Sequence, residues 1–423
     1  MKVLVSAYAC NPYQGSEPGV GWAAVKRISE NHDVYLLTDS HNREGLKKAK
    51  KEGLIPPNLK IRILRKNTKY SRNRLIARIQ SWLWYVSYNR LVLNKAIEWH
   101  QDVNFDLCHQ VTIAAWRVPS PLWQLPIPFI WGPIGGAGHI PHKFRCILSP
   151  TARIFEFVRD IQTFMAKRSK RLSLCIRESS CIFAANEETK NLLAPFRGNR
   201  PLIWLPIVSI SDEKLALFRR PEDAKPSGPI LRLFAGGNIG GSKGVSLALQ
   251  ALAIAASNGV EFHYTIAGGG PEISSLKRLC YRLGLEKKVE FHPGYQGEKY
   301  IKALHRSDVY FLPSFRESTP VTLIEAYLAG CYPVVADIGA QGEIVGIAGG
   351  HKIAARSAAS LIEGLAETVV WCSENRDILQ AKANNARARI SDRFSSSNYE
   401  RTLEDAYSMA VGMTQHSKDR LKS

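Results

Sequence analysis

The chain has 423 residues, 45% apolar and 22% charged, too long for one ordinary core and too apolar for a disordered or fibrous protein, so two large domains are expected. Its net charge of +20 is lopsided: residues 1–210 carry 31 Lys/Arg against 14 Asp/Glu, while residues 211–423 carry 26 against 23. A bias confined to one half says that half meets something anionic, such as nucleic acid, phospholipid or a phosphorylated substrate.

In chain order, "KVLVSAY" reads as a first buried strand; the apolar run of "MKVLVSAYAC" is too short for a signal peptide. "ACNPYQGSEPG" is a loop, "VGWAAVKRISEN" has helical spacing, and "DVYLLTD" is strand again. Further strands are expected at "KIRILR", "FDLCHQV" and "PFIWGP". Apolar runs alternating with helices imply a parallel sheet covered on both faces. Residues 118–142 hold no charge, but prolines 119, 121, 126, 128, 133 and 141 forbid a spanning helix, and no transmembrane segment is expected. Eight scattered cysteines form no CxxC pair, so neither a zinc site nor a disulfide framework follows, and a reducing cytoplasm is the natural setting.

The same grammar restarts near residue 229, with strands expected at "PILRLFAGGN", "FHYTIAGGG", "KVEFHPG", "DVYFLPS" and "CYPVVAD". The polar, proline-bearing "SISDEKLALFRRPEDAKPSGP" between the halves reads as a linker. The expected fold class is α/β: two doubly wound Rossmann-like domains facing across a cleft. The first covers residues 1–208, the second 209–394. Residues 395–423 form a C-terminal helix, about 397–412, with a basic tail that can cross back to the first domain. Ligands bind such sheets beyond the carboxyl ends of the strands, which directs attention to loops 8–19, 109–117, 132–142, 236–244, 268–272, 293–297 and 314–321.

The stretch "FLPSFRESTPVTLIEAYLAG" (311–330) combines strand, polar loop and helix. Thr319 suits an N-cap and Pro320 the first helical position. The amides of Val321 and Thr322 then point out of the helix at its positive dipole end, where a phosphate fits. Glu325, one to two turns in, can accept from the vicinal hydroxyls of a ribose, and Glu317 would meet a sugar beyond the phosphate. The other reading is a surface helix with two solvated glutamates.

"FAGGNIGGSKGV" (234–245) supplies glycines for close backbone approach, among them Gly237 beside Asn238, and brings Lys243 to a helix start, where it would neutralise a departing diphosphate. The alternative is a loop with a solvated lysine. It is neither a Walker loop nor a dinucleotide fingerprint in its proper place, and "AGGGPE" (267–272) is half of one on an internal strand.

Taken in order, "GGNIGGSKG", "IAGGGPE", "KVEFHPG" and "SDVYFLPSFRESTPVTLIEAYLAGCYPVVA" resemble the nucleotide-binding half of retaining glycosyltransferases of family 4 (glycosyl transferases group 1), which have the GT-B fold. The resemblance is dense over about 229–345 and looser over 1–210. It implies that Lys243 contacts the diphosphate, Glu325 the ribose and Glu317 the donor sugar. It also implies that the 319–322 amides hold the distal phosphate, that the loop around Pro293–Tyr295 borders the base, and that Gly15 of "YQGSEPG" approaches the donor. Where the family usually has Arg this chain has Asn238, and Pro320 stands where many members have Gly. A histidine expected after "PFIW" is replaced by "GPIGG", with His139 the nearest substitute; His109 matches another frequent family position, against which stands a buried structural role. The resemblance further implies retention of configuration without a metal or other cofactor, the departing diphosphate itself helping to deprotonate the incoming hydroxyl.

The basic half needs an acceptor to explain it. Residues 54–97 carry ten Lys/Arg and no acid, interleaved with "IQSWLWYVSY", and a second basic-apolar segment follows at 142–174. Basic residues beside aromatic and aliphatic ones suit a helix lying in a headgroup layer; basic outer faces on ordinary core helices are the alternative. The expectation is a glycan or lipid-linked, lipopolysaccharide-type acceptor at an anionic membrane surface, with the protein cytoplasmic and peripheral. No nucleic-acid partner is expected, for lack of a recognisable binding motif. Competing readings are a sugar-nucleotide epimerase of the same architecture, or a non-catalytic basic protein that binds membrane or nucleic acid.

Overall fold

The computed structural model describes residues 1–15, 17–64, 74–222 and 228–420, with the side chains of 74–83, 86 and 414–420 excepted. Of the aromatic-basic stretch expected to meet a membrane at 54–97, residues 65–73 and the side chains of 74–83 and 86 lie outside the described residues, while Tyr85 and Tyr88 are buried in the core. In chain order the elements are β1 (Lys2–Ala7), α1 (Glu17–Asn31), β2 (Asp33–Asp39), α2 (Arg43–Lys51), β3 (Leu59–Leu64), α3 (Arg74–Val103), β4 (Leu107–Thr112) and β5 (Phe129–Ile134). There follow α4 (Pro150–Lys167), α5 (Lys170–Glu178), β6 (Cys181–Ala184), α6 (Glu187–Leu193), β7 (Leu202–Trp204), α7 (Asp212–Phe218), β8 (Leu231–Gly236), α8 (Val245–Ser257), β9 (Phe262–Ala267) and α9 (Ile273–Arg282). The chain continues with β10 (Val289–His292), α10 (Glu298–His305), β11 (Val309–Phe311), α11 (Val321–Leu328), β12 (Tyr332–Ala336), α12 (Gly339–Ala348), β13 (His351–Ile353), α13 (Ala358–Glu374), α14 (Arg376–Arg393) and α15 (Ser396–Arg420).

Two compact units result. One comprises residues 1–137, 162–207 and 399–423, the other 138–161 and 208–398. Residues 138–161, grouped with the first half on sequence, thus pack with the second unit.

The first unit holds a parallel sheet in the order β3-β2-β1-β4-β5-β6-β7. Its central strands are buried on both faces, which is why β1 reads as an unbroken apolar run. Val3 and Val5 join one cluster with Leu36, Ile130 and Tyr407, while Leu4 points into the other with Tyr88, Trp99 and Trp131. The last helix is held by its stripe Tyr399, Leu403, Ala406, Tyr407 and Ala410, all buried in the first of these clusters. That spacing puts five residues on one helical face. The helix extends to Arg420 rather than ending near 412.

The second unit carries a parallel sheet in the order β10-β9-β8-β11-β12-β13. The strand order reverses at β8/β11, so the loops leaving these neighbouring strands flank one crevice, the usual ligand position in such sheets. The linker expected at 209–229 is partly helical. Ser211 Oγ accepts from the Lys214 amide at 3.2 Å, and Asp212 and Glu213 occupy the first turn of α7, a capped start with favourable dipole charge. Strands β6, β7 and β13, three or four residues each, were too short to show a period. Among the described residues, no helix is long and apolar enough to cross a membrane.

Candidate active site

The β8–α8 loop of the second unit is shaped by its glycines. Gly237 has φ +109, and a Cβ there would lie 3.6 Å from Thr322 Cγ2 and 3.7 Å from Lys243 Nζ. The loop therefore lies over the start of α11, with Lys243 beside it. Gly268 (φ +148) abuts the Gly237 carbonyl so closely that a Cβ would stand 1.9 Å from its oxygen, which only glycine tolerates. Phe315 N–H donates to Ser242 O at 2.7 Å, tying the loop after β11 to the loop after β8.

On this platform the charged residues converge. Lys243 Nζ is 2.5 Å from Glu317 Oε1, the oxygen that also accepts from Ser314 Oγ at 2.8 Å. Glu325 is held between Lys214 Nζ at 3.1 Å and the Tyr300 hydroxyl at 3.0 Å. Burial, helped by the fields of Glu317 and Glu325, pushes the Tyr310 phenol well above the usual range; its hydroxyl pairs with Thr322 Oγ1 at 2.9 Å. Tyr300, beside Glu325, is raised in the same way. Two carboxylates, two ammoniums, the buried Tyr310 and the half-buried Tyr300 thus gather at the β8/β11 switch point.

The helix start differs from expectation. Pro320 is itself the N-cap, with φ −79 and ψ 77, and α11 begins at Val321, whose N–H donates to Thr319 O at 2.9 Å. Thr319 consequently does not cap, and one of the two amides expected to face a phosphate is already engaged. Thr319 Oγ1 is instead buried with no hydrogen-bond partner, a condition that native structures rarely leave unfilled. Glu317 and Glu325 nonetheless flank this start, as their spacing suggested. Asn238 is exposed on the glycine loop. Tyr295 stacks on His292, ring centroids 4.1 Å apart and nearly parallel, at the mouth of the β10 loop.

The remaining candidates stand elsewhere. His109 is fully enclosed in the first unit: Nε2 donates to Gly132 O at 2.7 Å and Nδ1 accepts from the Tyr407 hydroxyl at 2.7 Å. Burial pushes the imidazole down to about 4. Both nitrogens are occupied, the arrangement expected of the structural alternative rather than of a catalytic base. His139 is exposed, close enough to the Arg145–Asp160 pair to add to the field on Asp160. Gly15 is exposed in the β1–α1 loop, followed by Glu17, whose carboxylate accepts from Ala114 N–H at 2.7 Å and so ties that loop to the one after β4. Lys214, Tyr300, Tyr310 and Ser314 were missed on sequence. Of these, Tyr310 and Ser314 sit within the motif stretch 307–336.

The family model "Glycosyl transferases group 1" matches residues 219–389, so the second unit carries a glycosyl transferases group 1 domain. WcaL of Salmonella typhimurium, a glycosyltransferase provisionally assigned to colanic acid biosynthesis, is 28% identical over 208 residues, 45% of this chain and 50% of that protein. The chain spans about half the length of the curated relatives it matches. Among solved structures, HepE of Anabaena in complex with UDP and glucose superposes with a TM-score of 0.61 at 16% identity, covering 96% of this chain and 99% of that one. The lipopolysaccharide outer core galactosyltransferase WaaB gives 0.59 at 14%, covering 96% and 99%. At these identities the likeness is one of fold: two parallel-sheet Rossmann-like domains, as in glycosyltransferases of the GT-B class.

Proposed function

We propose that the protein is a retaining glycosyltransferase that moves a sugar from a nucleotide-diphosphate sugar to a hydroxyl of a glycan or lipid-linked acceptor at the cytoplasmic membrane surface. The observation that carries this reading is the pairing of Lys243 with Glu317 and of Lys214 and Tyr300 with Glu325 around one switch point. Glu325 offers its carboxylate to the vicinal ribose hydroxyls. Lys243 stabilises the diphosphate as negative charge grows on it in the transition state. Glu317 orients the donor sugar through its hydroxyls, and the orphaned Thr319 hydroxyl and the Thr322 amide serve the distal phosphate. Lys214 supplies a positive charge beside Glu325, and Asn238 stands where the family pattern has arginine.

In this reading the protein positions reactants and stabilises charge, while the departing diphosphate takes the proton of the incoming hydroxyl on the same face. HepE was solved with UDP and with UDP-glucose, which makes UDP-sugars the first donors to try. A polymeric glycan acceptor draws support from the names of WcaL and WaaB.

The test is product analysis with a panel of nucleotide sugars, with and without lipid-linked and lipopolysaccharide-type acceptors. The reading expects acceptor-dependent release of nucleoside diphosphate and an anomeric configuration matching that of the donor. Conversion of the donor into its epimer without acceptor identifies the epimerase instead, and an inverted product removes the retaining assignment.

A further inference from the structure

Helix α4 (Pro150–Lys167) is inside out. In a helix of a water-soluble protein the apolar stripe faces the core and the polar residues face water. Here the apolar residues Ile154, Phe157, Val158, Ile161, Phe164 and Met165 are exposed, with Ile154, Phe157 and Met165 each more than 60% exposed. They recur at the spacing of one helical face. The opposite face is the more buried one, and it carries polar side chains beside the small Ala152 and Ala166. Glu156 is 5% exposed and ion-paired with Arg316. Arg159 donates to Gly138 O at 3.0 Å, and Thr163 accepts from Arg117 at 2.9 Å. Water offers nothing to a stripe of this kind, and exposed apolar patches of this extent mark interaction sites.

The charges around the stripe indicate what covers it. Residues 143–171 contain eight Lys/Arg and two acids. Both acids are neutralised locally, Glu156 by Arg316 and Asp160 by Arg145. Lys143, Arg153, Lys167, Arg168, Lys170 and Arg171 are exposed, and Arg168 stacks its guanidinium on Phe164, 3.5 Å from the ring centre. Just beyond the helix, a cavity of about 260 Å³ has Lys167, Arg168 and Lys170 on its rim and Trp116, Leu172 and Ile176 among its walls. Apolar side chains on the outer face of a helix, basic side chains around them and a basic-rimmed hollow at its end match the layered chemistry of a bilayer surface, acyl chains below and anionic headgroups above.

We infer that α4 is a membrane-seating helix, whose Ile154–Met165 face enters the interface of an anionic bilayer while the surrounding Lys and Arg hold headgroups. This deepens the membrane-surface acceptor of the proposed function and rests on that reading for its purpose, but its physics is independent of the donor site. A second copy of the chain would match the apolar stripe less well, because two copies of the basic surround would face each other.

The experiment is flotation of the full-length protein with phosphatidylcholine vesicles and with vesicles containing phosphatidylglycerol, for wild type and for the double variant Phe157→Asp/Phe164→Asp. Nucleotide binding and thermal unfolding of both proteins serve as fold and donor-site controls. Both substituted positions are exposed, so the variant is expected to unfold with the wild type. Wild type should float with anionic vesicles, less so at high salt, and the variant should lose about tenfold of its bound fraction with its nucleotide binding unchanged. Equal flotation of variant and wild type, or indifference of the wild type to anionic lipid, overturns the inference whatever the nucleotide result. A lipid-free dimer of the wild type that the variant abolishes, seen by sedimentation velocity, assigns the face to a second copy and overturns it too. Loss of nucleotide binding with flotation intact counts against the donor site alone.

Discussion

The Lys243 ammonium and the Glu317 carboxylate share a 2.5 Å ion pair, and Ser314 Oγ donates to the same carboxylate oxygen. Both side chains are about 85% shielded from solvent, so the pair links the glycine loop after β8 to the loop after β11. Binding of a diphosphate would draw Lys243 toward the new anion and release Glu317 to accept from a sugar hydroxyl. The two residues should therefore separate in their effects. Lys243→Ala should weaken binding of nucleoside diphosphates and their sugars alike by about 10- to 100-fold, the worth of a charge-assisted hydrogen bond. Glu317→Gln should leave nucleoside diphosphate affinity within roughly threefold and lower turnover of the sugar donor by about a hundredfold, since it loses charge only where the sugar sits. Calorimetry with initial-rate kinetics reads both, and a Glu317→Gln protein with full turnover removes the sugar-orienting role.

Tyr300 is a positioning residue. Its hydroxyl donates to Glu325 Oε2 at 3.0 Å from α10, and its ring packs edge-on against Phe234. Tyr300→Phe keeps the packing and deletes the donor, so stability should change by about 1 kcal/mol or less. Donor KM should rise roughly three- to tenfold with kcat nearly constant. A fall in kcat with unchanged KM contradicts this assignment.

Gly268 has no room for a side chain. At φ +148, with the Gly237 carbonyl 1.9 Å from any Cβ, Gly268→Ala should cost roughly 2–5 kcal/mol through backbone strain and overpacking. The thermal midpoint and nucleotide affinity should fall together, because the loop displaced is the one carrying Gly237. A variant with wild-type stability shows that the two loops can move apart.

His109 makes stability depend on pH. Its folded value of about 4 lies below the ordinary 6.5, so the unfolded chain binds the proton first as pH falls. The contribution is fully present above 6.5 and is lost on the way down toward 4, by about 2 kcal/mol at pH 5 and about 3 kcal/mol at pH 4. Urea midpoints of wild type should fall across this window more steeply than those of His109→Gln. Parallel profiles would mean that the imidazole accepts a proton without breaking its bonds to Tyr407 and Gly132.

Much of this was legible in the sequence because the relevant signals are local. Short apolar stretches alternating with helical spacing marked β1, β2 and β4, and the glycines of "GGNIGG" and "AGGG" marked the close approaches seen at Gly237 and Gly268. The convergence of Glu317, Glu325 and Lys243 followed from their placement after strands that prove adjacent in the sheet. Lys214 and Tyr300 were invisible because their elements lie 111 and 25 residues from Glu325 in the chain and meet it only through tertiary packing. The cap was misassigned because Thr-Pro satisfies a local rule that the 77° ψ of Pro320 overrides. Helix α4 is the deeper case. Its amphipathic spacing is plain in the sequence, but spacing alone does not say which face is buried, and the usual rule gives the opposite of what Glu156 and Phe157 show.

In the proposed function the second unit binds a nucleotide-diphosphate sugar through Glu325 and its neighbours. Titration calorimetry of wild type and Glu325→Ala with UDP, GDP and their sugars tests it most directly. Base-selective binding to the wild type is expected, weakened about tenfold or more in the variant with its unfolding midpoint little changed. A folded wild-type protein that binds none of these nucleotides, or a variant that binds as tightly as wild type, would contradict it.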